Sequence, residues 1–202
     1  MKALGGVIVF WKHGIRISNS PSVLCAAFLA ALLVSARAFA ETPKVGKKVP
    51  DFTLSTPTGA PVQLSKLIQK STVVLVVLRG YPGYQCPYCQ RQAHDFVEHA
   101  SDFAAKRVTV LLVYPGPSAD LDQHAKDFLA KQANLPDNVI MVTDPDYKMT
   151  SSYELRWDAP SETAYPSTFV LDRKGVIVFE KISRSHGDRT AAMDILNQIP
   201  GK

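Results

Sequence analysis

The sequence predicts an α/β domain built on one mixed β-sheet, and three observations carry that prediction. Apolar, β-branched runs alternate with amphipathic segments of helical spacing through most of the chain. The β-α-β succession of the first half demands crossovers, and so parallel strands. Asp172-Arg173-Lys174-Gly175, set between two late strand patterns, demands a hairpin and so antiparallel neighbours. No internal repeat, low-complexity tract or second domain is visible.

The elements follow in order. Val62-Gln63-Leu64 is a short, edge-like strand candidate. Val73–Leu78 is a continuous apolar run rich in valine, the mark of a strand buried on both faces. Pro87 suits the first turn of the next helix, where its missing N–H costs nothing. Along Cys89–Ala105, Ala93, Phe96, Val97, Ala100, Phe103 and Ala104 recur at helical spacing, with His94, Asp95, Glu98 and Asp102 largely opposite. A second buried strand is expected over Val108–Tyr114, ended by Pro115-Gly116-Pro117. Ser118 then stands as N-cap of a helix over Ala119–Gln132, and Val139–Val142 is a third strand. Thr143-Asp144-Pro145-Asp146 reads as a turn that starts a short helix near Tyr147–Leu155. Thr168–Leu171 and Val176–Phe179 form the hairpin, and a last helix covers about Thr190–Gln198.

The N-terminus has a different character. Residues 1–20 carry Lys2, Lys12 and Arg16 and no acid, an apolar run spans Val23–Val34, and Ala38-Phe39-Ala40 fits a small-x-small cleavage site. This is the pattern of a secretory signal cut after Ala40, leaving residues 41–202 as the functional domain in a periplasmic or secreted location. The alternative is an uncleaved anchor, for which the apolar run is short. Cys25 lies inside that run and is given no role. Residues 1–40 hold four of the 23 Lys and Arg and none of the 18 Asp and Glu, so cleavage reduces a net charge of +5 to +1. No polybasic run survives to make a nucleic-acid surface, and no membrane attachment is expected after cleavage.

Two cysteines then remain, Cys86 and Cys89, inside Gly80-Tyr81-Pro82-Gly83-Tyr84-Gln85-Cys86-Pro87-Tyr88-Cys89. The pair follows a buried-strand pattern and opens a helical one. With Cys86 at or beside the N-cap, Cys89 falls in the first turn, where free N–H groups and the helix dipole favour an anion. Arg79 and Arg91 are the nearest cations, and a surface charge is the plainer reading of each. A structural disulfide is the bland alternative, although so short a loop adds little stability. Haem attachment needs His directly after the second Cys, and Gln90 stands there. A zinc site lacks a second ligand pair among His94, His99, His124 and His186, while a Cu(I) carrier would recruit His186 as third ligand.

Tyr165-Pro166-Ser167-Thr168, just before a strand, is the second informative segment. A cis Tyr165–Pro166 bond would press backbone against the sulfurs; a trans strand-entry proline is the plainer reading. Tyr84, Tyr88, Tyr165 and Trp157 either line a pocket or pack the core, and packing is the default for such aromatics.

Val49-Pro50-Asp51-Phe52-Thr53-Leu54, Gly59, Val62 and Leu64, the apolar strand with its Cys-x-x-Cys, Thr143-Asp144-Pro145-Asp146, and Phe169-Val170-Leu171-Asp172 with Gly175 together resemble the peroxiredoxin-like AhpC/TSA (redoxin) family. That resemblance covers most of residues 45–198. It implies a thioredoxin fold, a three-layer α/β/α sandwich with a mixed central sheet. It also implies a thiol peroxidase in which Cys89, matching the family's Pro-x-x-x-Thr-x-x-Cys at Pro82 and Cys89, attacks the hydroperoxide. Cys86 replaces the motif threonine and becomes the local resolving cysteine. Pro82, Tyr88, Tyr165 and Pro166 are the candidate substrate contacts, and an external thiol is the electron donor. No cofactor or metal is expected. Pro166 stands where the family usually has an arginine, as in thioredoxin-like thiol–disulfide oxidoreductases. The resemblance therefore leaves a protein-disulfide substrate as the alternative, with a more exposed Cys86 attacking it, and a copper-binding redox carrier as the third reading.

Overall fold

Along the chain the elements are β1 (Thr53–Ser55), β2 (Pro61–Gln63), α1 (Leu64–Lys70), β3 (Thr72–Val77), α2 (Pro87–Glu98), α3 (Ala100–Ala105), β4 (Val108–Gly116), α4 (Leu121–Leu129), β5 (Val139–Pro145), α5 (Lys148–Ser152), β6 (Ser167–Leu171), β7 (Ile177–Ile182) and α6 (Ala192–Gln198). The computed structural model describes residues 42–132 and 134–199. The expected signal segment, Cys25 included, lies outside the described residues, and Ala40–Lys202 makes one compact unit.

The seven strands form one sheet in the order β2-β1-β5-β4-β3-β6-β7. β3, β4 and β5 are mutually parallel, whereas β6 pairs antiparallel with both β3 and β7, and β1 antiparallel with β2 and β5. Alternate side chains of β3 serve two separate cores. Val74 and Val76, with Leu78 just beyond, meet Phe96 of α2, Phe103 of α3, Phe128 of α4 and Ile195 of α6 on one face. Val73, Leu75 and Val77 meet Leu64 of α1, Met149 of α5 and Tyr153 on the other. Helices thus cover both faces of the mixed sheet, giving the expected three-layer α/β/α sandwich.

Several elements depart from their expected bounds for local reasons. The helix expected over Cys89–Ala105 is two, because His99 (φ −94°, ψ 14°) leaves α geometry and its ring Nδ1 lies 2.9 Å from the Asp95 carbonyl oxygen. β4 does not stop at Tyr114 but runs through Pro115 to Gly116, pairing with Asp144 and Pro145. β3 has ended by then, so the N–H that Pro115 lacks is not needed, and its carbonyl accepts from Tyr81 N–H at 2.9 Å. Ser118 does not cap α4: its own N–H donates to Asp146 Oδ1, and the helix starts after Asp120, which sits in the left-handed region. Thr143-Asp144-Pro145 belongs to β5 rather than to a turn. The buried Asp144 carboxylate then accepts from the N–H groups of Met149 and Thr150 and from the Thr150 hydroxyl, fixing the start of α5. Leu64, expected in the edge strand, instead opens α1, and β1 and the rest of α1 match no expected element.

The chain leaves β3 through Gly80, whose φ of +78° suits glycine. A Cβ there would overlap the Pro115 carbonyl. Gly80→Ala should therefore cost about 3 kcal/mol or more, read as the change in urea midpoint at constant slope.

Candidate active site

The site is built where α2 starts. Cys86 is the N-cap in extended geometry (φ −72°, ψ 118°), Pro87 fills the first turn, and Cys89 lies on the inner face with Gln92, Ala93 and Phe96. The two cysteines are free thiols. Both are closed from solvent, at 1% and 0% exposure, so the Cys86 that the protein-disulfide alternative would present to a partner is buried. The strand end, the glycine bend and the proline at the helix start together push both sulfurs under the surface.

One cation meets them. Arg189 Nη2 lies 3.6 Å from Cys89 Sγ and 4.0 Å from Cys86 Sγ. The guanidinium is held by its other nitrogens, Nη1 donating to Gln92 Oε1 at 2.9 Å and Nε to the His186 carbonyl at 2.8 Å. Gln92 Nε2 in turn donates to Thr190, whose hydroxyl pairs with that of Thr168 at 2.7 Å. The cation is therefore fixed in direction as well as position.

The two thiols share this charge unequally. A hydrogen bond from the Cys89 thiol, prevailing over burial and joined by the Cys89 and Tyr88 amides and by Arg189, draws Cys86 down to about 5. Those amides favour the sulfur without closing a capping hydrogen bond. Burial above all, then the bond to Cys86, pushes Cys89 well up, against Arg189 and the Gly80 N–H. The expectation had been an anion on Cys89 in the first turn. The structure sets it on Cys86, because desolvation of the inner sulfur outweighs its nearness to the helix start. The pair thus holds one thiolate and one thiol, the thiol donating to the thiolate.

The other anticipated residues divide around this centre. Pro82 is half-buried in the bend before Cys86. Tyr88 is 40% exposed, under the Arg91 guanidinium at 4.6 Å and tilted toward His186. Tyr165 stacks on Trp157 at 4.9 Å, with Arg184 over its ring at 4.3 Å. Pro166 is buried at the entry of β6, and its carbonyl accepts from Ser183 N–H. All peptide bonds among the described residues are trans, so the cis alternative at Tyr165–Pro166 is not adopted. Tyr84, like Tyr88, stands at the surface rather than in the core.

Arg79 is neither a surface charge nor a contact of the sulfurs. It is buried, donating to Glu162 Oε2 at 2.7 Å, Tyr84 Oη at 2.6 Å and the Ser161 carbonyl at 2.5 Å. Burial works against the Glu162 carboxylate, yet hydrogen bonds from Arg79 and His186 hold it below its ordinary range. His186 Nε2 pairs with Glu162 Oε1 at 2.8 Å. No cluster of three His, Cys, Asp or Glu side chains suited to a metal exists among the described residues. His186 is thus not brought to the sulfurs as the third ligand that a copper carrier would need. The residues missed by sequence reasoning are Arg189 and Gln92. Gln92 carried a faint signal, a polar residue one turn beyond Cys89 on a buried helix face. Arg189, one of several charges in a polar stretch a hundred residues away, carried none.

The Redoxin family model matches residues 44–196. The chain belongs to the Redoxin family. It is 30% identical to the chloroplastic peroxiredoxin Q of Sedum lineare over 165 residues, 82% of this chain and 81% of that protein. Among solved structures it is similar to the peroxidoxin BcpB of Mycobacterium tuberculosis (TM-score 0.62, 22% identity, 78% of this chain and 96% of that one). It is similar also to a secreted M. tuberculosis disulfide oxidoreductase homologous to E. coli DsbE (TM-score 0.54, 20% identity, 73% and 93%). At those identities the structural likenesses bear on the fold. With the family, they make this Redoxin chain a thioredoxin-fold, thiol-dependent peroxidase/oxidoreductase of the AhpC/TSA type.

The lowered Cys86 value means that the anion is present above about pH 5 and lost below it. Thiolate absorbance of the reduced protein should rise with a midpoint near that value. Arg189→Leu should move the midpoint upward by about one pH unit or more. An unmoved midpoint would mean that Arg189 does not stabilise the anion.

Proposed function

We propose that this protein reduces hydroperoxides at the Cys86–Cys89 pair, in an exported location, and is recharged by an external thiol. The observation that carries the reading is the burial of both sulfurs under a fixed guanidinium. Hydrogen peroxide, little larger than water, enters such a site with small local motion. The disulfide of a folded protein needs the site opened. Arg189 also faces the place where negative charge moves during attack, the condition for electrostatic catalysis.

The steps follow from the proton inventory. The Cys86 thiolate attacks the peroxide, an S–O bond forms as O–O breaks, and Cys86 becomes a sulfenic acid. The departing alkoxide or hydroxide takes the Cys89 proton and leaves as alcohol or water. Cys89, now a thiolate, attacks the Cys86 sulfur; the disulfide forms, and hydroxide leaves to be protonated by solvent. One peroxide and two thiols yield alcohol, water and one disulfide.

A second reading keeps the same products and reverses the order. It rests on Pro82 and Cys89 matching the family motif, which makes Cys89 the first nucleophile and Cys86 the resolving one. Full-length protein carrying Cys25→Ser isolates the pair for the test. One equivalent of peroxide at pH 7 should oxidise it at least about 10-fold faster than free cysteine, because the larger thiolate fraction offsets the lower nucleophilicity of an acidic sulfur and Arg189 stabilises the attack. Cys89→Ser should keep that rate and accumulate a sulfenic acid, whereas Cys86→Ser should lose it. The opposite pattern restores the family order, and oxidation no faster than free cysteine defeats the peroxidase.

Export rests on the basic start, the apolar run and Ala38-Phe39-Ala40. Protein recovered from the secreting cell should begin at Glu41. An intact Met1 on the recovered protein would defeat the cleavage.

A further inference from the structure

Beside the thiols lies a cleft of about 260 Å³, whose lining includes Tyr88, Arg91, Gln92, Asp95, Gly187 and Arg189. Its charges are uneven. The Asp95 carboxylate is engaged elsewhere, Oδ2 accepting from Ala192 N–H at 2.6 Å and Oδ1 lying 3.4 Å from His99 Nδ1. Asp188, next along the loop, is paired with Lys181 at 2.5 Å. Arg189 is anchored toward the sulfurs on the inner wall. Arg91, exposed at the rim, stacks on Tyr88, and among the described residues its guanidinium has no ion pair. Gly187 keeps the opposite wall low, since a Cβ there would come within 3.3 Å of the Tyr88 ring. The cleft has one cation with no anionic partner among the described residues at its mouth, a second at its base, and the redox pair just behind.

We propose that this cleft binds the carboxylate of a low-molecular-weight thiol, which is the reductant that recharges the site. The inference rests on the peroxidase reading above, in that it concerns the disulfide which that cycle leaves. A carboxylate held by Arg91 sets a thiol a few bonds away against the sulfurs, which a folded protein reductant reaches poorly while both remain buried. The incoming thiol loses its proton to solvent, and its thiolate attacks Cys86, at the N-cap of α2. An S–S bond forms to the small molecule as the protein disulfide breaks, and Cys89 leaves and takes up a proton. A second small thiol, likewise deprotonated, attacks the sulfur of the first. It releases Cys86 as a thiolate, the better leaving group of the pair, and departs as the small-molecule disulfide. Two small thiols are oxidised and one protein disulfide is reduced.

The test uses the full-length Cys25→Ser chain, with the disulfide made by diamide so that peroxide turnover is not required. Reduction is followed by intact mass with 3-mercaptopropionate, 2-mercaptoethanol and cysteamine, each rate expressed per thiolate. Each is divided by the rate of the same thiol with a neutral disulfide in solution, which removes intrinsic nucleophilicity. The anionic thiol should be favoured over the neutral one by about three- to five-fold, and the cationic thiol disfavoured. The preference should shrink as salt rises, vanish in Arg91→Gln and survive in Arg91→Lys. A disulfide that forms but is reduced with no preference for the anionic thiol, or with a preference that Arg91→Gln leaves intact, overturns the carboxylate site alone. A pair that diamide cannot join overturns it together with the peroxidase.

Discussion

The interaction on which the rest depends is the one between Arg189 and two buried sulfurs. A charge taken out of water is expensive unless it is paired and hydrogen-bonded, and this site keeps a thiolate with almost no solvent contact. Arg189 supplies the pairing, and its own direction is fixed by Gln92 and by the His186 carbonyl. His186 is held by Glu162, and Glu162 by Arg79 at the end of the central strand. The Thr163 hydroxyl donates to the Arg79 carbonyl and ties the same loop to the strand. A continuous series of polar contacts thus runs from the sheet, through the loops before β6 and after β7, to the sulfurs. From the loop after β7, His186 and Arg189 belong to that series.

The sheet and the helix at the cysteines were legible because their signals are local and periodic. Val73–Leu78 could hardly be anything but a doubly covered strand, and Pro87 fixed the helix start beside Cys86. What failed was set by partners distant in sequence. Pro115 reads as a strand end on its own residues, yet it continues β4 because β3 has already turned away at Gly80. Ser118 is a good cap by type, but Asp146 claims its N–H. The site divides in the same way. Both cysteines could be read from their spacing, while the balance of charge between them depended on a burial difference and a guanidinium that spacing does not encode.

Cys86 is where this chain departs most from the pattern it resembles. A threonine there would offer a hydroxyl to the substrate; a thiol offers a second redox centre and an acidic neighbour. Once two thiols share one helix start, a single proton lies between them, and the sulfur nearer the amides and less desolvated takes the anion. In the proposed cycle the substitution therefore supplies a local partner for disulfide formation, and it redistributes the charge. It also makes a third cysteine unnecessary for the cycle, in keeping with a chain whose remaining cysteine, Cys25, lies in the leader-like segment.

In the proposed peroxidase cycle, burial and charge divide the work of selection between the two half-reactions. Entry of the oxidant is limited by size, because neither sulfur offers surface to a large molecule. Entry of the reductant cannot be limited in the same way, since a thiol bulky enough to be recognised is bulkier than peroxide. A cleft that opens beside the pair, with an arginine stacked on Tyr88 at its mouth, resolves this conflict. Recognition occurs at the surface, where a carboxylate keeps part of its hydration, and only the sulfur has to pass inward. The attraction is then modest and screened by salt, and that suits a reductant which must leave once it is oxidised. A deep, fully desolvated carboxylate pocket would hold the oxidised product and block the next peroxide.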